Sequence, residues 1–208
     1  MADGEARIQS DTRTRLLRAA EWLIVHEGVH AVTIRRIAAE ANSNSALIGY
    51  HFGGVGGLLN ELARLNSEPI LADQKRGFQA IGPQADLDAL LGAFLRPLWR
   101  EAALNPAERA LVVINEIVSR AEPQLRAEVW SWFAEAAQPY HDGFARLLPR
   151  LSPEVLRVRL RFLGAAALDM PPRRSLSAFA AFDTASDAEG EDARCRQFLA
   201  FARGALLA

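Results

Sequence analysis

Apolar residues recur along almost the whole chain at intervals of three and four positions, and no segment shows sustained strand-like alternation. Leu16 and Leu23 share one face of the first predicted helix, over 12–26. Gly28 follows it, at a position where a residue with left-handed backbone geometry commonly ends a helix. The pattern as a whole predicts an all-α fold.

The second predicted helix starts at Thr33, whose hydroxyl is suited to capping a helix N-terminus. Its apolar residues fall at positions i, i+3, i+4 and i+7, and they form the stripe expected to be buried: Ile34, Ile37, Ala38 and Ala41. The same geometry turns Arg35, Arg36 and Glu40 towards solvent. The sequence therefore predicts a short amphipathic helix with cations on its outer face.

A tight turn and a third short helix are predicted next. Asn42 suits the turn because asparagine tolerates positive φ better than any residue except glycine. An apolar segment over 45–52 forms the third helix, and the glycine-rich run 53–57 separates it from a fourth. Short helices closed by a further helix favour a compact domain over 11–57, preceded by a flexible stretch over 1–10.

The rest of the chain, 58–208, is predicted to be a larger helical domain. Asp86 and Ser152 are placed to cap two of its helices. A segment rich in proline, serine and acidic residues predicts a long mobile loop over 171–192, before a last helix over 193–207. Prolines interrupt otherwise helical patterns at three positions, each of which predicts a kink or a helix boundary: Pro69, Pro97 and Pro139.

The composition is that of an ordinary globular protein with balanced charge. Lys and Arg total 24, Asp and Glu total 25, and half of the residues are apolar. No apolar run approaches the roughly 20 residues of a membrane-spanning helix, and 1–10 carries acids where an export signal carries bases, so we expect a cytoplasmic protein without a membrane partner. Cys195 is the only cysteine, which excludes an intrachain disulfide and a cysteine-rich zinc site.

Balanced charge argues against a nucleic-acid partner unless the few cations are well placed. Residues 1–60 contain six arginines against six acidic residues. We expect Arg35 and His51 to share one side of the N-terminal domain with Arg13, and Glu21 and Glu27 to lie elsewhere. Binding to a nucleic acid would then depend on a few placed contacts.

The N-terminal segments resemble a known family. The segments TIRRIAAEAN (33–42), NSALI (44–48) and YHFG (50–53), with two leucines after the glycine run, resemble the N-terminal domain of the tetracycline-repressor (TetR) family. The resemblance covers roughly 11–62 and keeps the spacing of the family. It implies a helix-turn-helix whose second helix lies in the major groove of a double-stranded DNA operator, followed by a helical ligand-binding and dimerisation domain.

The resemblance assigns DNA contacts to particular residues. Thr33 and Arg35 stand at family positions that touch phosphates or groove edges, and we expect the adjacent Arg36 to contact DNA as well. The exposed positions of the recognition helix correspond to Ser45, Ala46, Leu47, Gly49, Tyr50 and His51. The first three suit base edges and the two aromatic residues suit phosphates, whereas Ile48 and Phe52 fall on the buried side. Without the motif, all the exposed residues would be an ordinary solvated surface.

Two departures from the family pattern bear on DNA affinity. Ser43 stands where the family usually has an apolar residue, and Gly54, Val55 and Gly56 stand where it usually has Ser-Lys-Glu. Val55 cannot make the phosphate contact of that lysine. DNA binding therefore releases about one counterion fewer and depends less steeply on salt. We therefore expect operator binding that is weaker or more dependent on an ordered dimer.

The resemblance further implies a homodimer formed through 152–169 and 193–207, and an effector pocket among the middle helices. The apolar surface expected to build the dimer consists of Leu156, Leu160, Leu163, Ala166, Ala167, Phe198, Leu199, Phe201 and Ala202. The candidate pocket residues are Phe94, Trp99, Trp130, Trp132, Phe133, Tyr140, His141 and Phe162. Ordinary core packing is the alternative for each of them. Such a lining favours a small, mostly apolar effector, which would control operator affinity by stabilising one arrangement of the DNA-binding domains.

The sequence thus predicts a bacterial homodimeric transcriptional regulator, most simply a repressor, with no enzyme activity and no cofactor. One alternative is a TetR-like ligand-binding dimer with weakened or lost operator binding. A nucleotide-binding loop at 53–57 is not expected, because no strand precedes it and no Lys-Ser/Thr follows. His26 and His30 lack a third metal ligand, and we find no nucleophile–base pair for an all-α enzyme.

Overall fold

The computed structural model of the chain describes residues 2–104, 109–169 and 188–208, with side chains over 11–99, 110–167 and 195–208. These residues form nine α-helices and a 3₁₀ turn without a strand, which confirms the all-α prediction. The helices are α1 (Ala2–Glu27), α2 (Ile34–Glu40), α3 (Ala46–Phe52), α4 (Val55–Ile81), α5 (Leu87–Leu104), α6 (Arg109–Arg120), α7 (Pro123–Leu147), α8 (Pro153–Asp169) and α9 (Ala188–Leu207), and the 3₁₀ turn is Val29–Ala31. None of the described helices is both long and apolar enough to span a membrane.

The chain divides into two compact units. The first contains residues 1–68 and 109–131, and the second contains 69–108 and 132–208. The first unit is larger than the domain expected over 11–57 because α6 packs against α1 and the 3₁₀ turn. Helix α1 begins at Ala2, well before the predicted start, and the flexibility expected of its first turns stays a prediction.

Local polar contacts build α2, α3 and the turn between them as the sequence predicts. The Thr33 hydroxyl accepts a hydrogen bond from the Arg36 amide at 3.4 Å, which confirms it as the cap of α2. Asn42 has a φ of 46°, which confirms its place in the turn. The Asn44 side chain accepts a hydrogen bond from the Ala46 amide at 2.9 Å and so fixes the start of α3. These contacts span at most three residues, so they form from the local sequence alone.

The buried stripe of α2 differs from the prediction at one position. Ile37, Ala38 and Ala41 are buried, but Ile34 is 46% exposed. Ile34 is the first residue of the helix, and helical side chains tilt towards the N-terminus. Its side chain therefore projects beyond the start of α2, where no preceding turn of the helix covers it.

The chain leaves α1 through Gly28, whose φ of 89° is positive as predicted. Its ψ of 165° is extended, however, so the residue does not adopt the left-handed helical geometry that was expected. Glu116 of α6 accepts a hydrogen bond from the Val29 amide at 3.1 Å. A Cβ at position 28 would lie 3.0 Å from the same carboxylate oxygen. Both the backbone conformation and the close approach of α6 therefore favour glycine here.

The core of the second unit is aromatic, and one of its tyrosines donates to a helix carbonyl that a proline leaves without a partner. Tyr140 is 1% exposed, and its ring lies 5.1 Å from that of Phe94. Its hydroxyl is 2.5 Å from the Gln74 carbonyl oxygen and 3.0 Å from that of Ala93. Ala93 lies four residues before Pro97, which has no N–H, so its carbonyl lacks the usual helical donor. The Tyr140 hydroxyl shares its single proton between the carbonyls of Gln74 and Ala93, and burial raises the pKa of its phenol, which keeps the proton in place.

All three prolines expected to mark kinks or boundaries lie inside helices, namely α4, α5 and α7. They therefore do not mark helix ends, although the two compact units divide immediately before Pro69. The Asp86 and Ser152 caps are confirmed, because their side chains accept hydrogen bonds from backbone amides three residues later, at 2.8 and 3.3 Å. Helix α9 already starts at Ala188, and the earlier part of the loop predicted over 171–192 lies outside the described residues.

Candidate nucleic-acid interface

The accessible surface of α3 consists mainly of small and polar side chains around a buried anchor. Ile48 is fully buried and fixes the helix to the first unit. Four of the residues expected to contact DNA from α3 and the position before it are exposed: Ser45, Ala46, Gly49 and Tyr50. Leu47 and His51 are half-buried. The rings of Tyr50 and His51 meet edge-on at 5.0 Å, so the structure brings together the two residues expected to hold phosphates.

Phe52 is half-buried rather than buried, and a cation lies over its ring. The guanidinium of Arg13 lies 5.3 Å from the ring centroid. Arg13 also forms an ion pair with Glu61 of α4. The arginine expected to share the DNA-facing side is therefore held within the first unit, where it links α1 to α3 and α4.

The two arginines of α2 are both exposed but differ in their partners. Arg36 donates from Nη1 and Nη2 to the two carboxylate oxygens of Glu27, at 2.6 and 2.5 Å. This hydrogen bonding holds the pKa of the Glu27 carboxyl below its usual range and raises the pKa of Arg36. Glu27 was expected elsewhere and instead neutralises a predicted DNA contact. Arg35 has no ion pair among the residues whose side chains are described.

The corner between α3 and α4 requires glycine. Gly53 and Gly54 have φ values of 71° and 126°, and a Cβ at Gly57 would lie 1.9 Å from the carbonyl oxygen of Phe52. The glycine run therefore permits a sharp turn and a close approach of α4 to the end of α3. Val55 starts α4 and is half-buried, so the first turn of α4 presents an apolar side chain at the position of the family lysine.

The first unit also contains a groove of about 660 Å³ between the N-terminal half of α4 and the start of α7. Its lining includes one arginine, Arg64, against four carboxylates: Glu61, Glu68, Glu122 and Glu128. A surface with this excess of acids does not attract a phosphate backbone. The candidate DNA-facing surface of the unit is therefore the exposed side of α2 and α3.

The candidate effector residues do not form one cluster. Phe94 and Tyr140 are in contact inside the second unit, and Trp99 stacks on Phe198 of α9 with ring centroids 5.4 Å apart. Phe162 is 67% exposed, and Trp130 is 45% exposed and belongs to the first unit. The half-buried candidates are Trp132, Phe133 and His141. Phe162 therefore does not line an interior site of the second unit with Phe94 and Tyr140, because its side chain is on the surface.

His141 is the polar member of this set. Its ring nitrogens are shielded from solvent and have no hydrogen-bond partner within the described part of the chain. Its Nδ1 lies 3.6 Å from a carboxylate oxygen of Asp142, which is beyond hydrogen-bonding distance. A shielded ring nitrogen without a partner is costly in free energy. The His141 ring therefore offers a polar contact to a bound molecule.

Apolar stripes remain exposed on α8 and α9. On α8 they include Val155, Val158 and Phe162, which follow at i, i+3 and i+7, and on α9 they include Phe201 and Leu207. Most residues expected to form the dimer contact are instead buried within the protomer: Leu156, Leu160, Leu163, Ala167, Phe198 and Ala202. The sequence carried a signal for this arrangement, because both helices have apolar residues on two faces, and one face of each packs against α5.

Comparison with known proteins identifies two matching family models. The model described as bacterial regulatory proteins, tetR family, matches residues 16–62. The model described as tetracyclin repressor-like, C-terminal domain, matches residues 92–205, which is more than half of the chain. No curated protein matches the chain in sequence.

Solved structures share the fold over nearly the whole length. A TetR family transcription regulator from Marinobacter aquaeolei VT8 has a TM-score of 0.66 at 15% identity, over 96% of this chain and 97% of that one. NalD, the secondary repressor of the MexAB-OprM multidrug efflux pump in Pseudomonas aeruginosa, has a TM-score of 0.61 at 18% identity, over 94% and 95%. The multidrug binding protein EbrR, in complex with ethidium, has a TM-score of 0.54 at 21% identity, over 90% and 97%.

Proposed function

Because the chain belongs to the TetR family of bacterial regulatory proteins, we propose that it is a homodimeric repressor whose operator affinity is controlled by a small, mostly apolar effector. The observation that carries this proposal is the position and exposure of α3. This helix is the second helix of a helix-turn-helix, anchored by buried Ile48 and exposed on the side expected to enter the major groove.

The chemistry of the exposed surface supports DNA recognition through few contacts. Ser45, Ala46 and Gly49 are small, so α3 can approach the base edges closely, where a hydroxyl or a methyl group distinguishes bases. Tyr50, 69% exposed, and Arg35 are suited to the phosphate backbone. Contacts with the phosphate backbone position the helix and give binding its salt dependence.

The exposed stripes on α8 and α9 support the homodimer. Burial of apolar surface contributes about 25 cal/mol per Å², and a solvent-exposed Phe162 and Phe201 leave that contribution unused in the monomer. A second copy in an isologous arrangement covers the same stripes on both partners. The fixed distance between the two α3 helices would then set the spacing of the operator half-sites.

The interior of the second unit supports an effector site near Tyr140 and His141. Aromatic rings and a shielded, unpartnered ring nitrogen are the combination expected of a small-molecule site. EbrR, which shares the fold, is described as a multidrug binding protein in complex with ethidium. The effector would act through its preference for one of two arrangements of the dimer. The strength of that preference limits how much the operator affinity can change.

The test is a gel shift with the DNA upstream of the gene that encodes the chain, repeated at several salt concentrations. We expect a sequence-specific shift that weakens linearly on a log–log plot as salt rises. Light scattering on the same sample reports whether the protein is a dimer. A dimer with no sequence-specific shift at low salt would reject the repressor and support the alternative, a ligand-binding dimer that has lost operator affinity. The absence of a cationic side chain at Val55 favours that alternative.

A further inference from the structure

The ion pair between Glu27 and Arg36 is the starting point. Glu27 is the last residue of α1 and Arg36 lies in the first turn of α2. The two guanidinium nitrogens face the two carboxylate oxygens at 2.6 and 2.5 Å, and the side chains are 35% and 44% exposed. Guanidinium groups bind phosphates with the same two-pronged geometry. The donors of Arg36 are therefore accessible, but they are already taken by an anion.

Arg36 adjoins the residue from which we expect a phosphate contact. Arg35 is the neighbouring residue on the exposed side of α2, and it has no ion pair among the described side chains. Without Glu27, the first turn of α2 would present two neighbouring cations, Arg35 and Arg36, to DNA. With Glu27 in place, the charge of one of them is neutralised.

We propose that Glu27 acts as an internal substitute for a DNA phosphate, and that its pairing with Arg36 keeps the operator affinity of the protein low. The inference rests on the proposed DNA binding. Arg36 cannot bind Glu27 and a phosphate in the same two-pronged manner, because both use the same Nη donors. Each subunit must therefore open this pair, or bind DNA without Arg36.

A purely structural role for the pair predicts the opposite sign. A carboxylate at the C-terminus of α1 is unfavourable next to the helix dipole, and pairing with Arg36 offsets this. If the pair merely fixed α2 in place, its loss would loosen the helix-turn-helix and weaken DNA binding. The direction of the affinity change therefore separates the two roles.

The experiment measures the DNA affinity of Glu27→Gln against the unchanged protein, with the same upstream fragment and buffer. Exposed ion pairs are weak, so we expect a two- to fivefold gain in DNA affinity per subunit. In a dimer bound to two half-sites, the gains of the two subunits multiply. Glu27→Asp retains the charge but shortens the side chain, and it should show much of this gain. Thermal unfolding of each variant verifies that it is folded.

Two further variants show whether Arg36 is the residue released. In the Glu27→Gln background, Arg36→Ala should abolish the gain, because the guanidinium that Glu27→Gln releases is then missing. Glu40→Gln is the matched control for charge, because Glu40 is exposed on α2 and acts on Arg36 only through space. It should give a clearly smaller gain than Glu27→Gln.

The outcomes distinguish this inference from the proposed function. Specific binding by the unchanged protein, with no gain or a loss in Glu27→Gln, overturns the inference alone. Equal gains from Glu40→Gln and Glu27→Gln also overturn it, because the effect would then be one of general charge. Specific binding by Glu27→Gln but not by the unchanged protein supports it, and an absence of binding by both rejects the inference together with the proposed function.

Discussion

The exposed side of α3 and the exposed stripes of α8 and α9 are both candidate contact surfaces, but they have opposite chemistry. On α3 the accessible residues are small or polar, such as Ser45 and Tyr50. On α8 and α9 they are large and apolar, such as Phe162 and Phe201. The first surface is stable in water as it is. The second leaves apolar area exposed, which is unfavourable until another surface covers it.

This difference determines what each surface reveals about its partner. An exposed apolar stripe indicates by its free energy alone that something covers it, and its repetition in a second copy makes that copy the simplest cover. An exposed polar helix gives no such indication, because water satisfies it equally well. The partner of α3 is inferred from the helix-turn-helix motif and the family, so the two surfaces call for different experiments.

The largest effect is expected on the apolar surface. Phe162→Glu combined with Phe201→Glu places charges on both stripes and should raise the dimer dissociation constant by at least about 100-fold, since burial of one Phe contributes roughly 1.5–3 kcal/mol. Light scattering over a range of concentrations measures this. The matched control is Leu65→Glu on α4, a half-exposed apolar residue outside the stripes. A variant that stays dimeric would remove α8 and α9 from the interface.

A smaller effect is expected for the cation beside α3. Arg35→Ala should weaken binding to all DNA sequences alike, by up to about tenfold, and reduce the salt slope by about 0.9 per subunit, because one phosphate contact is lost. Titrations at several salt concentrations give both values. Arg64→Ala in the acidic groove serves as the control and should change neither value. An unchanged slope in Arg35→Ala would exclude this arginine from the phosphate contacts.

Changes on α3 itself should alter sequence preference rather than overall affinity. Ser45→Ala and Leu47→Ala should each change discrimination at one base position by about fivefold or more, because base-edge contacts contribute roughly 1–3 kcal/mol. Binding to a library of operator variants measures this. Ser45→Ala should leave the stability unchanged, and Leu47→Ala should lower it slightly, because Leu47 is half-buried. If both variants retained the base preference of the unchanged protein at every operator position, the assignment of α3 as the recognition helix would be wrong.

The smallest effect is expected at the start of α4. Val55→Lys restores the residue type that the family usually has, and it should tighten DNA binding a fewfold while steepening the salt slope by about 0.9 per subunit. The comparison with Val55→Gln separates charge from polarity, since glutamine adds no cation. Equal affinities for the lysine and glutamine variants would show that this position does not face a phosphate.

Features that depend on neighbouring residues were predictable from the sequence. The Thr33 cap needs only the amide of Arg36, and the Asn42 turn needs only a residue that tolerates positive φ. The all-α fold follows from helical periodicity, and the resemblance at 33–53 placed the helix-turn-helix within the range that the family model matches. Each of these rests on spacing within one or two helical turns.

Features that depend on distant residues were not predictable in the same way. Helices α8 and α9 each have two apolar faces, and periodicity alone does not say which face packs against α5 and which stays exposed. The pairing of Arg36 with Glu27, like that of Arg13 with Glu61, joins side chains from different helices. The family resemblance placed Arg36 with the DNA contacts, and the expectation of one shared face placed Arg13 there, because neither shows where the acids of other helices come to lie.

The amino-acid order therefore suffices for the all-α fold, for side-chain caps such as that of Thr33 and for the motif, because backbone hydrogen bonds and side-chain spacing act over a few residues. The packing of helices that are distant in the chain settles which cations remain available to DNA and which apolar stripes remain for a second subunit. It does so because a charge or an apolar surface is neutralised or covered by whichever group lies next to it in space. For Arg36 that group is Glu27, the last residue of α1.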